Sequence, residues 1–259
     1  MTLNYVKCFL LDMDGTFYLG DRLIEGSLEF IDRVRATGRD FMFLTNNSSH
    51  NASFYVEKLA RMGLSIDRSR VMTSGEATCE VLRARYPGRR AFLLGNEYLA
   101  EEFREAGIPV DDADPQIVVI GFDTTLTYRK MQAVCDFVRA GLPYIATHPD
   151  FNCPTETGFM PDIGAIMAFI EASAGRRPDL IVGKPNTGIV EAVLRRTGLR
   201  VDELAMVGDR LYTDIETGLR SGMLSILVMS GETTEEMLAA SPTKPDLRFG
   251  RLSDMIPLL

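Results

Sequence analysis

What the 259-residue chain lacks narrows the field first. It has no block of five or six like charges, and so neither a basic arm nor an acidic tail. A net charge of −8 and an isoelectric point near 5.0 oppose a sequence-independent hold on nucleic acid, which needs basic surface. No apolar stretch approaches the ~20 residues that a bilayer-spanning helix requires, so no membrane partner is expected. The opening segment "MTLNYVKCFLLDMDG" lacks the cationic start and small-residue cleavage site of a signal peptide. Four cysteines, Cys8, Cys79, Cys135 and Cys153, lie scattered with no CxxC pair. In a chain of this size they read as reduced thiols, not as a disulfide framework or a zinc site. A cytoplasmic location is therefore expected. Internal repeats and low-complexity tracts are also missing.

What is present is the composition of an ordinary globular protein, 46% hydrophobic and 25% charged, enough for a sizeable core. Apolar runs alternate with amphipathic stretches. The runs predict strands at Val6–Asp12, Phe41–Thr45, Ala91–Leu94, Ile117–Gly121, Tyr144–Thr147, Leu180–Val182, Leu204–Val207 and Leu224–Val228. Helical periodicity falls between them, at Ser27–Thr37, Ala52–Met62, Glu76–Tyr86, Tyr98–Ala106, Tyr128–Ala140, Ile163–Ala174, Ile189–Arg196 and Thr213–Ser221. Several of these end at a glycine, such as Gly38, Gly107 or Gly198, the residue that most readily turns left-handed after a helix. Strand–helix alternation implies an α/β fold with parallel sheets covered on both faces. Polar motifs cluster near both ends of the chain, while residues 75–178 repeat the alternation on their own. We therefore expect a discontinuous Rossmann-like, doubly wound core of residues 1–74 and 179–259, with an α/β domain inserted at 75–178.

Four motifs carry chemistry. In "KCFLLDMDGTFYLG" a strand apolar at nearly every position ends in Asp12 and Asp14. Residues two apart in a strand share a face, and both aspartates fall at or just beyond the strand's carboxyl end, where open α/β sheets bind ligands. Two carboxylates that close repel unless a cation, a shared proton or donors accommodate them. In "FMFLTNNSSH" a second strand ends in Thr45, Asn46 and Asn47, a hydroxyl with backbone amides at a helix entry that suits an anion or a plain helix cap. In "DLIVGKPNTG", Lys184 follows a strand and Gly183, but Pro178 and Pro185 exclude a Walker loop. In "LAMVGDRLYTDIETG" a strand ends at Asp209, and Asp214 opens the next helix. Each motif has an ordinary structural explanation by itself. Together they put carboxylates, one lysine, one hydroxyl and open amides at one sheet edge. Carboxylates suit Mg²⁺, and the rest suit a phosphoryl group.

This ordered set resembles the haloacid dehalogenase-like hydrolase superfamily. Asp12-Met13-Asp14-Gly15-Thr16 matches its first motif, Thr45 its second, Lys184 its third, and Gly208, Asp209 and Asp214 its fourth. The combination is similar to the branch of NagD nucleotide phosphatases and the 4-nitrophenyl and pyridoxal phosphate phosphatases, in which a cap lies between motifs two and three. The resemblance implies a Mg²⁺-dependent phosphatase of small phosphorylated metabolites. Asp12 would be the nucleophile, forming an aspartyl-phosphate, and Asp14 the general acid and base. Mg²⁺ would bind Asp12, the Asp14 carbonyl and Asp209, with Asp214 orienting a metal-bound water from outside. Thr45, the Asn46 amide and Asn47 would hold phosphoryl oxygens, and Lys184 would neutralise both phosphate and nucleophile. Related proteins often dimerise, which implies a homodimer. "YIATHPDFNCPTETGFMPDIGAI" is the expected substrate-facing loop, with His148 where the branch often has Asn. Two rivals use similar residues. A phospho-aspartate receiver switch is about half this length and leaves the middle and the Asp209 motif without a role. A dehalogenase on the same scaffold needs neither Asp14 nor Mg²⁺.

Overall fold

The computed structural model describes residues 3–155 and 157–259, which divide into two compact units. The first comprises the described residues through Thr45, then Ala52–Met72 and Lys184–Leu259; the second comprises Asn46–Asn51 and Thr73–Gly183.

The first unit is built on a six-stranded sheet ordered Leu247–Phe249, Leu224–Val228, Leu204–Gly208, Cys8–Leu11, Asp40–Thr45, Val71–Thr73. From the first of these strands to Asp40–Thr45, every pairing is parallel. All four residues of Cys8–Leu11 are buried, as expected for a central strand with helices on both faces. Alternation sorts the side chains. Phe9, Leu11, Phe41, Phe43, Ala205 and Val207 share one face and enter one apolar core with Phe30, Ile31 and Val34 of the Ser27–Ala36 helix. The Phe9 and Phe30 rings meet edge to face at 5.6 Å, and Phe17 and Phe43 at 5.0 Å. Each such ring contributes roughly 1.5–3 kcal/mol by leaving water. Leu10, Met42 and Met206, in the opposite phase, are buried on the other face.

The second unit has its own four-stranded parallel sheet, ordered Leu180–Ile181, Tyr144–Ala146, Ile117–Ile120, Ala91–Leu94. Its core joins Phe92, Leu94, Val118, Ile120, Tyr144 and Ala146 to apolar faces of the Tyr128–Arg139 and Ile163–Ala174 helices. An antiparallel hairpin, Asn152–Thr155 with Gly158–Pro161, completes it.

The α/β class and parallel sheets match the sequence reading; several boundaries do not. Leu180–Ile181, assigned to the core by the split at residue 179, pairs with Tyr144–Ala146, so the second unit runs on to Gly183. Asn46–Asn51 also groups with the second unit. Val71–Thr73 and Leu247–Phe249 are sheet strands too short for their pattern to register, and the Glu235–Ala240 helix has only six residues. The expected loop around residue 155 contains the hairpin, whose residues are mostly exposed and therefore show no apolar alternation. The expected Thr213–Ser221 helix begins with a wide π turn over Leu211–Ile215 before the α-helix Glu216–Ser221. Such turns recur at functional sites. No helix among the described residues is long and apolar enough to cross a membrane.

Candidate active site

Sheet register builds the centre. Leu11 pairs with Val207 on one side and Phe43 on the other, so Asp12 comes level with Gly208 and Leu44. Asp209 and Thr45 follow one residue later at the same carboxyl edge. The Asp12 N–H donates to Val207 O at 2.9 Å, which fixes the residue just beyond the strand.

Lys184 holds the centre together. Its side chain is nearly inaccessible, and Nζ donates to Asp12 Oδ1 at 2.5 Å, Asp214 Oδ1 at 2.7 Å and Leu44 O at 3.2 Å. Asp214, with no exposed surface, accepts from the Arg210 backbone N–H through its other oxygen at 3.1 Å. The π turn makes this closure local, because Arg210 and Asp214 flank its start and its end. Asp209 is held from two directions: Thr16 Oγ1 donates to its Oδ1 at 3.2 Å and the Glu232 N–H to its Oδ2 at 2.7 Å. Its carbonyl accepts from the Thr233 hydroxyl at 2.5 Å.

Glycine makes this density feasible. A Cβ on Gly15 would lie 2.6 Å from Asp209 Cγ, and one on Gly208 would overlap the Asp214 carboxylate. Gly15 also has φ +87°, which side chains resist.

Burial and mutual repulsion dominate the electrostatics. Burial pushes the Asp12 carboxyl up to about 6, although Lys184 pulls it down. Burial together with Asp12 and Asp214 raises Asp209 to about 7. Burial would discharge Lys184, but the two carboxylates outweigh it and hold the ammonium firmly protonated. Oxygens of Asp12, Asp209 and Asp214 lie within 4.8 Å of one another. Three crowded carboxylates against one ammonium leave excess negative charge, and all-oxygen donors are the chemistry of a hard divalent cation. The residues present therefore fit Mg²⁺. Asp214 has one oxygen on the Lys184 ammonium and the other on the Arg210 backbone N–H.

Asp14 stands apart. It is exposed, it does not belong to the acidic cluster, and partial burial raises its carboxyl above the usual range. Thr45 closes its strand and is 8% exposed. Asn46 and Asn47 fall in the second unit. The Asn46 side-chain Nδ2 donates to the Asp150 carboxylate at 3.1 Å, and Asn47 Oδ1 accepts from the Ser49 N–H at 2.8 Å and hydroxyl at 2.7 Å. His148, in the segment expected to face the substrate, is fully buried, with Nδ1 3.0 Å from Thr147 Oγ1 and Nε2 3.1 Å from Asp162 Oδ1.

Sequence reasoning passed over Arg210, Thr16 and the Ser230–Thr233 segment. Arg210 and Thr16 stand inside the quoted motifs, so their signal was position. Gly231 and Glu232 reach Asp209 only through the fold, and no local pattern marks them.

Fold and centre together define a class: an α/β protein with aspartates gathered at the carboxyl edge of a parallel sheet. Residues 9–109 match the family model described as haloacid dehalogenase-like hydrolase, and residues 181–255 a HAD-hydrolase-like model. The acid sugar phosphatase of Staphylococcus aureus (strain MRSA252) is 36% identical over 255 residues, covering 98% of each chain. Among solved structures, a 4-nitrophenylphosphatase from Thermotoga maritima shares 48% identity with a TM-score of 0.96, covering 98% of each chain. NagD from E. coli K-12 shares 31% identity with a TM-score of 0.90 over 98% of each chain. The chain belongs to the haloacid dehalogenase-like hydrolase family.

Proposed function

We propose that this hydrolase is a Mg²⁺-dependent phosphatase of small phosphate monoesters, acting through an aspartyl-phosphate on Asp12. One observation carries the reading: a buried lysine grips Asp12 through Oδ1 and leaves Oδ2 without a hydrogen-bond partner among the described residues. A carboxylate so held is oriented for attack with its other oxygen.

In the first half-reaction Asp12 Oδ2 forms a bond to phosphorus as the ester P–O bond breaks. Asp14 gives its proton to the departing alkoxide. In the second, water attacks the same phosphorus and passes a proton to the Asp14 carboxylate. The P–O bond to Asp12 breaks, phosphate leaves and both residues are restored. The raised pKa of Asp14 suits it to hold a proton for the first step. Its position outside the acidic cluster leaves it free to reach the leaving group.

Lys184 stabilises the Asp12 carboxylate and the phosphoryl charge that gathers beside it. Asp214 orients Lys184 from behind. Thr45, with the backbone amides of Asn46 and Asn47, receives the phosphoryl oxygens. Asp12, Asp209 and the Asp14 carbonyl would hold Mg²⁺, which would supply charge neutralisation between an anionic nucleophile and an anionic substrate. By their names, two of the relatives above are an acid sugar phosphatase and a 4-nitrophenylphosphatase. Sugar phosphates, nucleotide monophosphates and pyridoxal phosphate are the substrates to examine first.

The test is phosphate release from that panel, with Mg²⁺ and with EDTA, for the wild type and Asp12→Asn. Multiple turnovers with Mg²⁺ are expected, with none from a folded Asp12→Asn protein. A single turnover would indicate a receiver-type switch, and persistent Asp12→Asn activity would remove Asp12 from the chemistry.

A further inference from the structure

Arg210 sits where it could spoil the centre it borders. It follows Asp209 directly, and its positive charge pulls the Asp12 and Asp209 carboxyls down against the burial that raises them. An arginine fork matches a carboxylate in a bidentate pair, which makes it a competitor for the very oxygens a cation would use. One acidic side chain pairs with it by charge. Glu232 Oε2 lies 2.9 Å from Arg210 Nε, an ion pair without hydrogen-bond geometry at that nitrogen, and Glu232 Oε1 accepts from the Tyr212 hydroxyl at 2.7 Å. The backbone N–H of the same Glu232 donates to Asp209 Oδ2 at 2.7 Å, so the residue is anchored to the ligand it protects.

The charge count points the same way. Asp12, Asp209, Asp214 and Glu232 present four carboxylates to two cations, Lys184 and Arg210. The surplus is two negative charges, the complement of one divalent ion. Without the Glu232 charge only one remains, and the guanidinium is released toward the cluster.

We infer that Glu232 is a positioning residue that sets the cation affinity of this centre, holding Arg210 away from Asp12 and Asp209 and completing the two-charge surplus. The inference rests on the proposed cation role of Asp12 and Asp209. It concerns the chain's own ion pair and needs no substrate.

Calorimetric titration of Mg²⁺ into the full chain, without substrate, tests it, with melting temperature in EDTA as the check on folding. Glu232→Gln keeps the backbone donor and loses the charge. It should weaken Mg²⁺ binding by about 10-fold, the order expected for one neighbouring charge at a partly exposed site. Arg210→Gln should shift affinity the opposite way, toward tighter binding. The double variant, which restores the two-charge surplus, should return close to wild type. A purely structural role would weaken binding in all three and give no reversal of sign. The inference is overturned if Glu232→Gln binds Mg²⁺ as the wild type does, or if both single variants shift in the same direction, while Asp209→Asn abolishes binding. Should Asp209→Asn bind Mg²⁺ normally, the cation reading itself is wrong and the inference goes with it.

Discussion

Replacing Gly231 by alanine adds one methyl group to a segment that contains none of the family motifs, yet it should disable the enzyme. The new Cβ would lie 2.5 Å from Asp209 Cγ and 2.7 Å from Gly15 Cα. Reaching the 3.4 Å at which ordinary contact begins requires a 0.9 Å displacement from Asp209 Cγ, and more from Asp209 Oδ2, which lies closer still. Neither side yields easily. Gly15 is tied by its N–H to Tyr18 O at 2.7 Å and by its carbonyl to the Ser230 hydroxyl at 2.8 Å. Asp209 is 1% exposed and bonded to Thr16 and Glu232. Overpacking of this kind costs about 1–3 kcal/mol of stability. Displacing a reacting constellation by ~1 Å costs on the order of 10²-fold in rate, or ~2.7 kcal/mol of barrier. We therefore expect kcat/KM for 4-nitrophenyl phosphate to fall on the order of 10²-fold, with weaker Mg²⁺ dependence and a modestly lower melting temperature. Steady-state kinetics across a Mg²⁺ series, with circular dichroism melts, measures all three. Wild-type kinetics and cation dependence in Gly231→Ala would refute the view that close backbone packing fixes Asp209.

Three further outcomes are expected. Lys184→Met leaves Asp12 and Asp214 facing each other without their buried partner, and denaturant unfolding at pH 8 should show a loss of about 3–5 kcal/mol; a change under about 1 kcal/mol would contradict the pairing. Asp14→Asn should lower kcat/KM about 10²- to 10⁴-fold for sugar phosphates, whose alkoxide must be protonated, and much less for 4-nitrophenyl phosphate; equal losses on both would remove Asp14 as the acid. For pH, Asp12 near 6 and Asp209 near 7 both stand above their unfolded value of 3.8. The fold therefore binds protons the unfolded chain has released, a stabilising contribution complete below pH 3.8 and lost as pH rises through 6 and 7. In EDTA this pair should lower the melting temperature over that window, while Mg²⁺ should stabilise more at pH 8 than at pH 5; a Mg²⁺ shift independent of pH would contradict it.

How far the sequence could be read depended on how locally each feature is encoded. Asp12, Asp209 and Thr45 were legible because each ends an apolar strand, and a parallel sheet brings such ends to one edge. Lys184 was legible from its motif, though its grip on Asp214 arises from a π turn that no periodicity announces. Glu232 and Gly231 were not legible, since they reach Asp209 from a strand end about 20 residues later, across the Leu204–Gly208 and Leu224–Val228 pairing. His148 misled for the opposite reason. The proline-rich sequence around it reads as surface, but Thr147, Ser74 and Asp162 satisfy the imidazole inside a core. The second unit's far boundary was misplaced because a two-residue strand, Leu180–Ile181, is too short to show which sheet it joins.

The register that sets Asp12 beside Gly208 also decides where the gene can tolerate change in length. Adding or removing one residue between Val6 and Leu11 would turn Asp12 to the opposite face of the sheet and put Phe9 and Leu11 where Leu10 now packs, so a single-codon indel there erases nucleophile and core together. The exposed hairpin at Asn152–Pro161 carries no such phase, and length variation at its tip leaves the four-stranded sheet intact. A library of insertions and deletions would therefore separate a phase-locked catalytic sheet from a segment that lineages can lengthen, shorten and reshape.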